Sequence, residues 1–251
     1  IDVYENRGKI TGAYSCGVYG VHPYILLNYQ GRLDDVFTLA HELGHTVHSY
    51  LSDEAQPFHD HDYSIMVAEV ASTVNEVLLS RWLLAREQDP RRRAALLEHL
   101  LEGFRTTFFR QTLFAEFELA IHSREQAGAP VNVETLNELY ASISAKYYPG
   151  VVSDENAAVE WARIPHFYRA FYVYQYATGY SGAVAIARRI LEESGAGEYL
   201  NFLTMGSSAY PLEQLKRTGV DLASPAAVND ALTVFAGTCT EFEAALKEMG
   251  R

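Results

Sequence analysis

The strongest constraint in this 251-residue chain is the run from Phe37 to His48, where His41 and His45 stand four residues apart and Glu42 follows the first. On an α-helix that spacing stacks both imidazoles on one face, one turn apart, so two neutral nitrogens can grip one divalent metal at about 2.0–2.1 Å. Glu42 projects about 100° around the helix, too far to ligate beside them but within reach of a water on the metal. Apolar Val36, Phe37, Leu39, Ala40, Leu43 and Val47 give the helix a buried face. A ligand pair needs such a rigid footing. Asp34 or Asp35 is expected as N-cap or first-turn acid.

His-Glu-x-x-His is the arrangement of zinc peptidases, and a third ligand has to decide whether it is one here. A second helix is predicted over 64–87 with Ser64 as N-cap. It carries Glu69 among Met66, Val67, Val70, Ala71, Val74, Val77 and Leu78. An acid in so apolar a stretch is costly unless it is paired or coordinated. Glu76, seven residues on and nearly on the same face, is either a carboxylate backing a histidine or a surface charge. The run His59-Asp60-His61-Asp62 offers metal-binding side chains too, but on a loop without a rigid platform, and it reads as solvated.

Around these two helices the chain is predicted mainly α, with a small antiparallel β element over residues 1–30 and helices over 31–251. Residues 10–15 and 23–29 read as short strands, bounded by Gly and Pro, with Gly17 and Gly20 between them. Small Gly12-Ala13 would let another backbone approach an edge, or simply belong to an ordinary hairpin. A long helical stretch follows from Pro90 to Gln126, with Gly103 as a kink point, and its stripe of Phe104, Phe108, Phe109, Leu113, Phe114 and Phe117 reads as core. A further helix covers 131–148. Pro165 is expected to start a tyrosine-rich helix over 168–180, leaving His166 at its mouth. On that helix Tyr172, Tyr176 and Tyr180 would share a face, either as core or lining a polar cleft. Helices near 181–194, 196–205, 211–218 and 225–249 close a single domain, without repeats or linkers.

Composition narrows the partners. Thirty-two acidic against 20 basic side chains leave a net charge of −12, which argues against nucleic acid as the main partner. No apolar run approaches a membrane span, and no signal-peptide pattern opens the sequence. Cys16 and Cys239 lack metal-type spacing and read as reduced thiols of a cytoplasmic protein, with a disulfide left open. The start at Ile1, without methionine, suggests a fragment, a processed product or a trimmed chain.

Several linked stretches carry a family resemblance. They are Gly12-Ala-Tyr-Ser, Pro23-Tyr-Ile-Leu-Leu-Asn-Tyr, Leu33 to His45, Ala68 to Glu76, Pro165-His-Phe-Tyr, Phe171 to Gly179 and Gly219-Val-Asp-Leu. In this order they resemble the catalytic half of oligoendopeptidase F, in the thimet-oligopeptidase-like (M3) family of zinc metallopeptidases. The resemblance implies one zinc ion per chain, held by His41, His45 and Glu69, with Glu42 as general base. It leaves His48 outside the ligand set. His166 and Tyr176 are implied as donors to the substrate carbonyl or oxyanion, with Tyr172 next and Tyr180 least matched. It also implies a helical, zincin-like bowl whose channel admits short peptides in extended form. The family's N-terminal half is absent from the sequence, so a fragment that binds zinc and peptide without turnover stays open; a second alternative is another His-Glu-x-x-His hydrolase, acting on a non-peptide amide.

Overall fold

Apart from Glu69, Asn75, Glu76 and Arg81, residues 65–84 are almost all apolar or small, with no single polar face, and such a helix has to bury most of its surface. The computed structural model describes residues 1–152 and 154–250. It runs β1 (Tyr14–Val18), β2 (Val21–Leu26), α1 (Leu33–Ala55), α2 (Ile65–Leu84), α3 (Pro90–Gly103), a π-helical turn (Phe104–Phe109) and α4 (Arg110–Gln126). Then follow α5 (Val133–Tyr147), a short α6 (Glu155–Ala158), α7 (Tyr174–Glu192), α8 (Ala196–Leu203), α9 (Pro211–Lys216) and α10 (Ala226–Glu248). The fold is mainly α with one two-stranded antiparallel sheet. Two compact units make up the chain: residues 1–101 with Gly179 onward, and Glu102–Thr178.

In the first unit α2 is indeed surrounded. Val67, Val70, Ala71 and Val74 expose none of their surface, and Ile186, Tyr199, Phe202, Leu203 and Leu215 of α7, α8 and α9 pack over them. A second cluster joins Phe37 of α1, Leu84 of α2, Leu96 and Leu97 of α3, and Ala245 of α10. Each large side chain buried this way contributes about 1.5–3 kcal/mol. Arg81 and Arg93 both reach Glu241, at 3.3 and 3.1 Å, tying α2 and the start of α3 to α10.

The sheet is displaced from its expected position. Its register pairs Tyr14 with Leu26 and Val18 with Val21, with an irregularity between Cys16 and Val18. The connection is only Tyr19-Gly20, Gly20 having φ 75°. So short a turn draws Cys16, Gly17 and Val18 into the ladder, and the second strand ends at Leu26. Asp2 pairs with the other edge of β2, donating to Ile25 O and accepting from Leu27 N, both at 2.8 Å. Hydroxyls of Ser15 and Thr46, 2.9 Å apart, join the sheet to α1. At the start of α1, Asp35 is the first-turn acid: its Oδ2 accepts the N–H groups of Gln30 and Arg32 at 2.9 and 2.8 Å.

The second unit is built on the aromatic stripe. Leu113, Phe114 and Phe117 of α4 bury themselves against Tyr140 and Ile143 of α5, with Ile164 and Val173. Gly103 ends α3 with helical dihedrals (φ −57°, ψ −46°), and a π-helical turn begins at the next residue. Asn132 caps α5 by accepting Thr135 N–H at 2.9 Å. The tyrosine-rich helix, in contrast, starts later than expected. Pro165–Tyr168 forms one 3-10 turn, and α7 begins only at Tyr174, because Phe171 takes a left-handed φ of 56° that no α-helix can include. From Tyr174 the helix runs unbroken to Glu192, so the two helices expected over 168–180 and 181–194 are one.

Candidate metal centre

Helices α1 and α2 bring three donors of the first unit together. His41 Nε2 and His45 Nε2 are 3.2 Å apart, and Glu69 Oε2 lies 3.5 Å from His41 Nε2. The three ligand atoms all fall within 4.8 Å of one another, the only such group of His, Cys, Asp or Glu among the described residues. Behind His41, Nδ1 donates to Glu76 Oε1 at 2.6 Å, which settles the open reading of Glu76 in favour of the backing carboxylate. With that proton on Nδ1, the lone pair of His41 sits on Nε2 and faces His45. Two imidazole lone pairs at that separation repel unless a proton or a cation lies between them. A pair of imidazole nitrogens with one carboxylate oxygen is a donor set that zinc accepts.

The electrostatics agree. Burial pushes the His45 imidazole down to about 4, with the charge on His41 adding to the effect, so His45 is neutral and ready to ligate at neutral pH. Burial opposes charge on His41 too, but its bond to Glu76 and the nearby Glu69 outweigh it and raise its pKa. A proton therefore competes with a metal at His41 as the pH falls. Burial likewise raises the Glu69 carboxyl, against the influence of His41 and of Ser72 Oγ, 3.4 Å away.

Glu42 is 6% exposed, and its Oε2 has no hydrogen-bond partner among the described residues. Burial raises its pKa, opposed by His41 and by a hydrogen bond from the Ser15 backbone. With His41 and Glu76 it lines a cavity of about 450 Å³ that also touches Ala13, Asn28, Tyr29 and Phe37. The Oε2 of this carboxylate can accept a proton from something in that cavity, because no donor among the described residues has claimed it.

His48, on the ligand face of α1, is not part of this group. It is fully buried, stacked on Tyr63 at 3.6 Å and 8°, and neither ring nitrogen has a partner among the described residues. Burial, helped by His45, drives its pKa down to about 3. The sign follows from proton binding: the unfolded chain takes up this proton below about 6.5 and the folded chain does not, so stability is lost as pH falls. Between pH 7 and pH 5 the parent should lose about 2 kcal/mol more than His48→Leu. Urea unfolding of both proteins at the two pH values measures the difference. Equal losses would show that His48 does not set the acid limit.

The other site expectations divide. His61 Nδ1 lies 2.7 Å from Asp53 Oδ1 and Asp60 O accepts Ser207 N–H at 2.8 Å, so the His59–Asp62 loop is pinned rather than freely solvated. His166, Tyr172 and Tyr176 lie in the second unit and gather there. The ring of His166 is 6.0 Å from each tyrosine, parallel to Tyr172 and perpendicular to Tyr176, and the two phenols are 5.6 Å apart. Tyr172 reaches the group from outside α7, not from a shared helix face, and Tyr180 is buried in the first unit. Cys16 and Cys239 are free thiols.

Sequence reasoning missed Gly44. An added Cβ would meet Ser72 Cα at 2.6 Å and Ala71 O at 2.9 Å, so only glycine lets α1 lie close enough to α2 for the three donors to converge. A glycine inside a strongly helical run is a signal of such an approach, since it costs about 1 kcal/mol unless packing requires it.

Two packed helices, one carrying His-Glu-x-x-His and the other an acid directed at both histidines, define a mainly α protein with one candidate metal centre among the described residues. The family model for peptidase family M3 matches residues 1–234, and the chain belongs to that family. It is 49% identical to oligopeptidase PepF of Bacillus subtilis (strain 168), over 99% of this chain and 38% of that protein. It is 47% identical to an oligoendopeptidase F homolog of Lactococcus lactis subsp. lactis (strain IL1403), over 97% of this chain and 41% of the relative. The crystal structure of oligoendopeptidase-F from Enterococcus faecium superposes with a TM-score of 0.78 at 44% identity, covering 86% of this chain and 40% of that one. The chain thus spans about two-fifths of the length of the relatives it matches.

Proposed function

We propose that the chain is the catalytic part of a zinc-dependent endopeptidase that cuts internal bonds of short oligopeptides. The observation carrying this reading is the convergence of His41, His45 and Glu69 beside the buried Oε2 of Glu42, which has no hydrogen-bond partner among the described residues. Family membership supports the peptidase part of it, since the relatives are named as oligopeptidases. His41, His45 and Glu69 would hold one zinc per chain. A zinc ion bound there supplies Lewis acidity, polarising a carbonyl and making water acidic near neutral pH. Glu42 takes the proton of the attacking water and passes it to the leaving amine, a transfer that its raised pKa favours. Glu76 keeps the Nδ1 proton on His41 and fixes the ring.

On the family resemblance, His166 and Tyr176 donate to the substrate carbonyl as it gains charge, with Tyr172 beside them. Donors of this kind are worth about 3–4 kcal/mol each. The peptide lies extended against the small sheet, where backbone pairing gives affinity without demanding one side chain. Residues 1–251 then serve as one catalytic domain. A cytoplasmic place and peptide partners, not nucleic acid or membrane, agree with the acidic charge and the two free thiols. No helix among the described residues is long and apolar enough to cross a membrane.

The test is Glu69→Gln, assayed for zinc after dialysis against a mild chelator and for cleavage of a quenched fluorescent peptide. A neutral amide is a poor replacement for a carboxylate ligand, so the variant should lose most of its zinc and its activity together. Full zinc retention would remove Glu69 from the ligand set. The share of the relatives that the chain spans favours a second reading, a zinc- and peptide-binding portion that does not turn over alone. Stoichiometric zinc in the parent without cleavage would select it.

A further inference from the structure

Phe171 stands in the left-handed region, with φ 56°. It is the third residue of a tight turn, Arg169 to Tyr172, closed by Tyr172 N–H donating to Arg169 O at 3.2 Å. Turns that require this conformation at their third residue place glycine or asparagine there, because a Cβ crowds the following carbonyl. An aromatic residue in that position is strained, and strain of this kind persists only where the surroundings enforce it.

Two side chains of α4 do so. Glu118, only 2% exposed, accepts the Phe171 N–H at Oε1 over 2.7 Å. One helical turn further on, His122 lies against the Phe171 ring at 4.7 Å and 37°. The same face of α4 therefore holds both the backbone and the side chain of one residue. A carboxylate buried to this degree is costly unless it makes such bonds, and a position needed only for packing would be served better by leucine. The residue that follows is Tyr172, whose ring lies parallel to His166 and edge-on to Tyr176.

We propose that Glu118, assisted by His122, is a positioning residue that clamps the left-handed turn at Phe171 and so sets Tyr172 against His166 and Tyr176. The proposal rests on the reading above, in which these three side chains serve peptide hydrolysis. Glu118 acts through the backbone and touches no substrate. Its requirement is an acceptor oxygen at that point, not a charge.

The experiment uses the full chain loaded with zinc, in Glu118→Gln, Glu118→Leu, Phe171→Gly, the Glu118→Leu/Phe171→Gly pair and Tyr172→Phe. Amide hydrogen exchange at Phe171 and peptide kinetics are both read. Glu118→Leu should lose about tenfold or more of the protection at the Phe171 amide and about tenfold or more of kcat, with KM and zinc content near parental. Glu118→Gln keeps an acceptor and should stay close to the parent in both. Glycine adopts this φ without strain, so adding Phe171→Gly to the leucine variant should recover much of kcat. Parental exchange in Glu118→Leu would overturn the clamp. A kcat loss that Phe171→Gly does not recover, accompanied by a lower melting temperature, would reduce Glu118 to core packing. Unchanged kcat in Tyr172→Phe, alongside lost amide protection in Glu118→Leu, would overturn the positioning role by removing Tyr172 from the reaction, while leaving the amide contact measured.

Discussion

Glu42→Gln should keep its zinc and lose between about 10² and 10⁴ of kcat. The amide is isosteric with the carboxylate and can still accept from the Ser15 backbone, but it cannot take a proton from water. Zinc content should remain at one per chain, since Glu42 is not among the three converging donors. Stability should not suffer. The carboxylate is buried with one oxygen lacking a partner among the described residues, and burial already opposes its charge, so a neutral side chain is the easier one to enclose. Metal analysis, peptide kinetics and thermal unfolding on one preparation separate these expectations. Turnover near the parental rate would exclude Glu42 as the base, whereas loss of zinc along with activity would assign it to the metal instead.

Gly44→Ala carries the second large effect. Alanine improves helix propensity by about 1 kcal/mol, so without tertiary contacts the change would stabilise α1. Here the new methyl meets Ser72 Cα and Ala71 O, backbone atoms that no rotamer change can move aside. Overpacking costs about 1–3 kcal/mol, and a 2.6 Å contact with backbone belongs at the upper end, above the propensity gain. Parting the helices also carries His41 and His45 away from Glu69, so zinc affinity should fall by about tenfold or more, the scale seen when ligand support is disturbed. Gly237 in α10 is the control, because a Cβ there meets nothing within 4 Å. Gly237→Ala should raise stability by up to about 1 kcal/mol and leave zinc binding alone. Denaturant midpoints of the two variants should move in opposite senses, and only Gly44→Ala should shift the zinc titration. A Gly44→Ala protein as stable and as tightly metallated as the parent would mean that the contact does not govern the site.

What could be read from the sequence was whatever depended on short range. The i, i+4 spacing of His41 and His45 and the isolation of Glu69 among valines and alanines are local patterns, and the structure brings these three together. Glu76 stayed ambiguous because its partner lies 35 residues away on another helix. Gly44 escaped notice for the same reason, since the backbone it approaches is that of Ala71 and Ser72. The tyrosine segment misled differently. A four-residue spacing of phenols suggests a helix from 168 onward, but the geometry at Phe171 is imposed by Glu118, some fifty residues earlier, and no pattern within the segment announces it. Strand limits moved because a two-residue turn and a ladder irregularity together decide where pairing stops.

The π-helical turn at Phe104–Phe109 amounts to one residue inserted into a helical rod. Every residue added to or removed from such a rod turns all that follows by about 100°. Within the second unit Phe104 is buried at the start of the turn and Leu113, Phe114 and Phe117 after it, and both sets stay buried only because the count of residues between them is what it is. Substitutions at its less buried positions, such as Arg105, leave that count unchanged. A single deletion there would put Phe104 out of step with Phe114 and Phe117 within the second unit, so the side chains on the two sides of the turn could not all stay buried. In lineages that share the turn, its length is thus expected to be inherited more strictly than its letters.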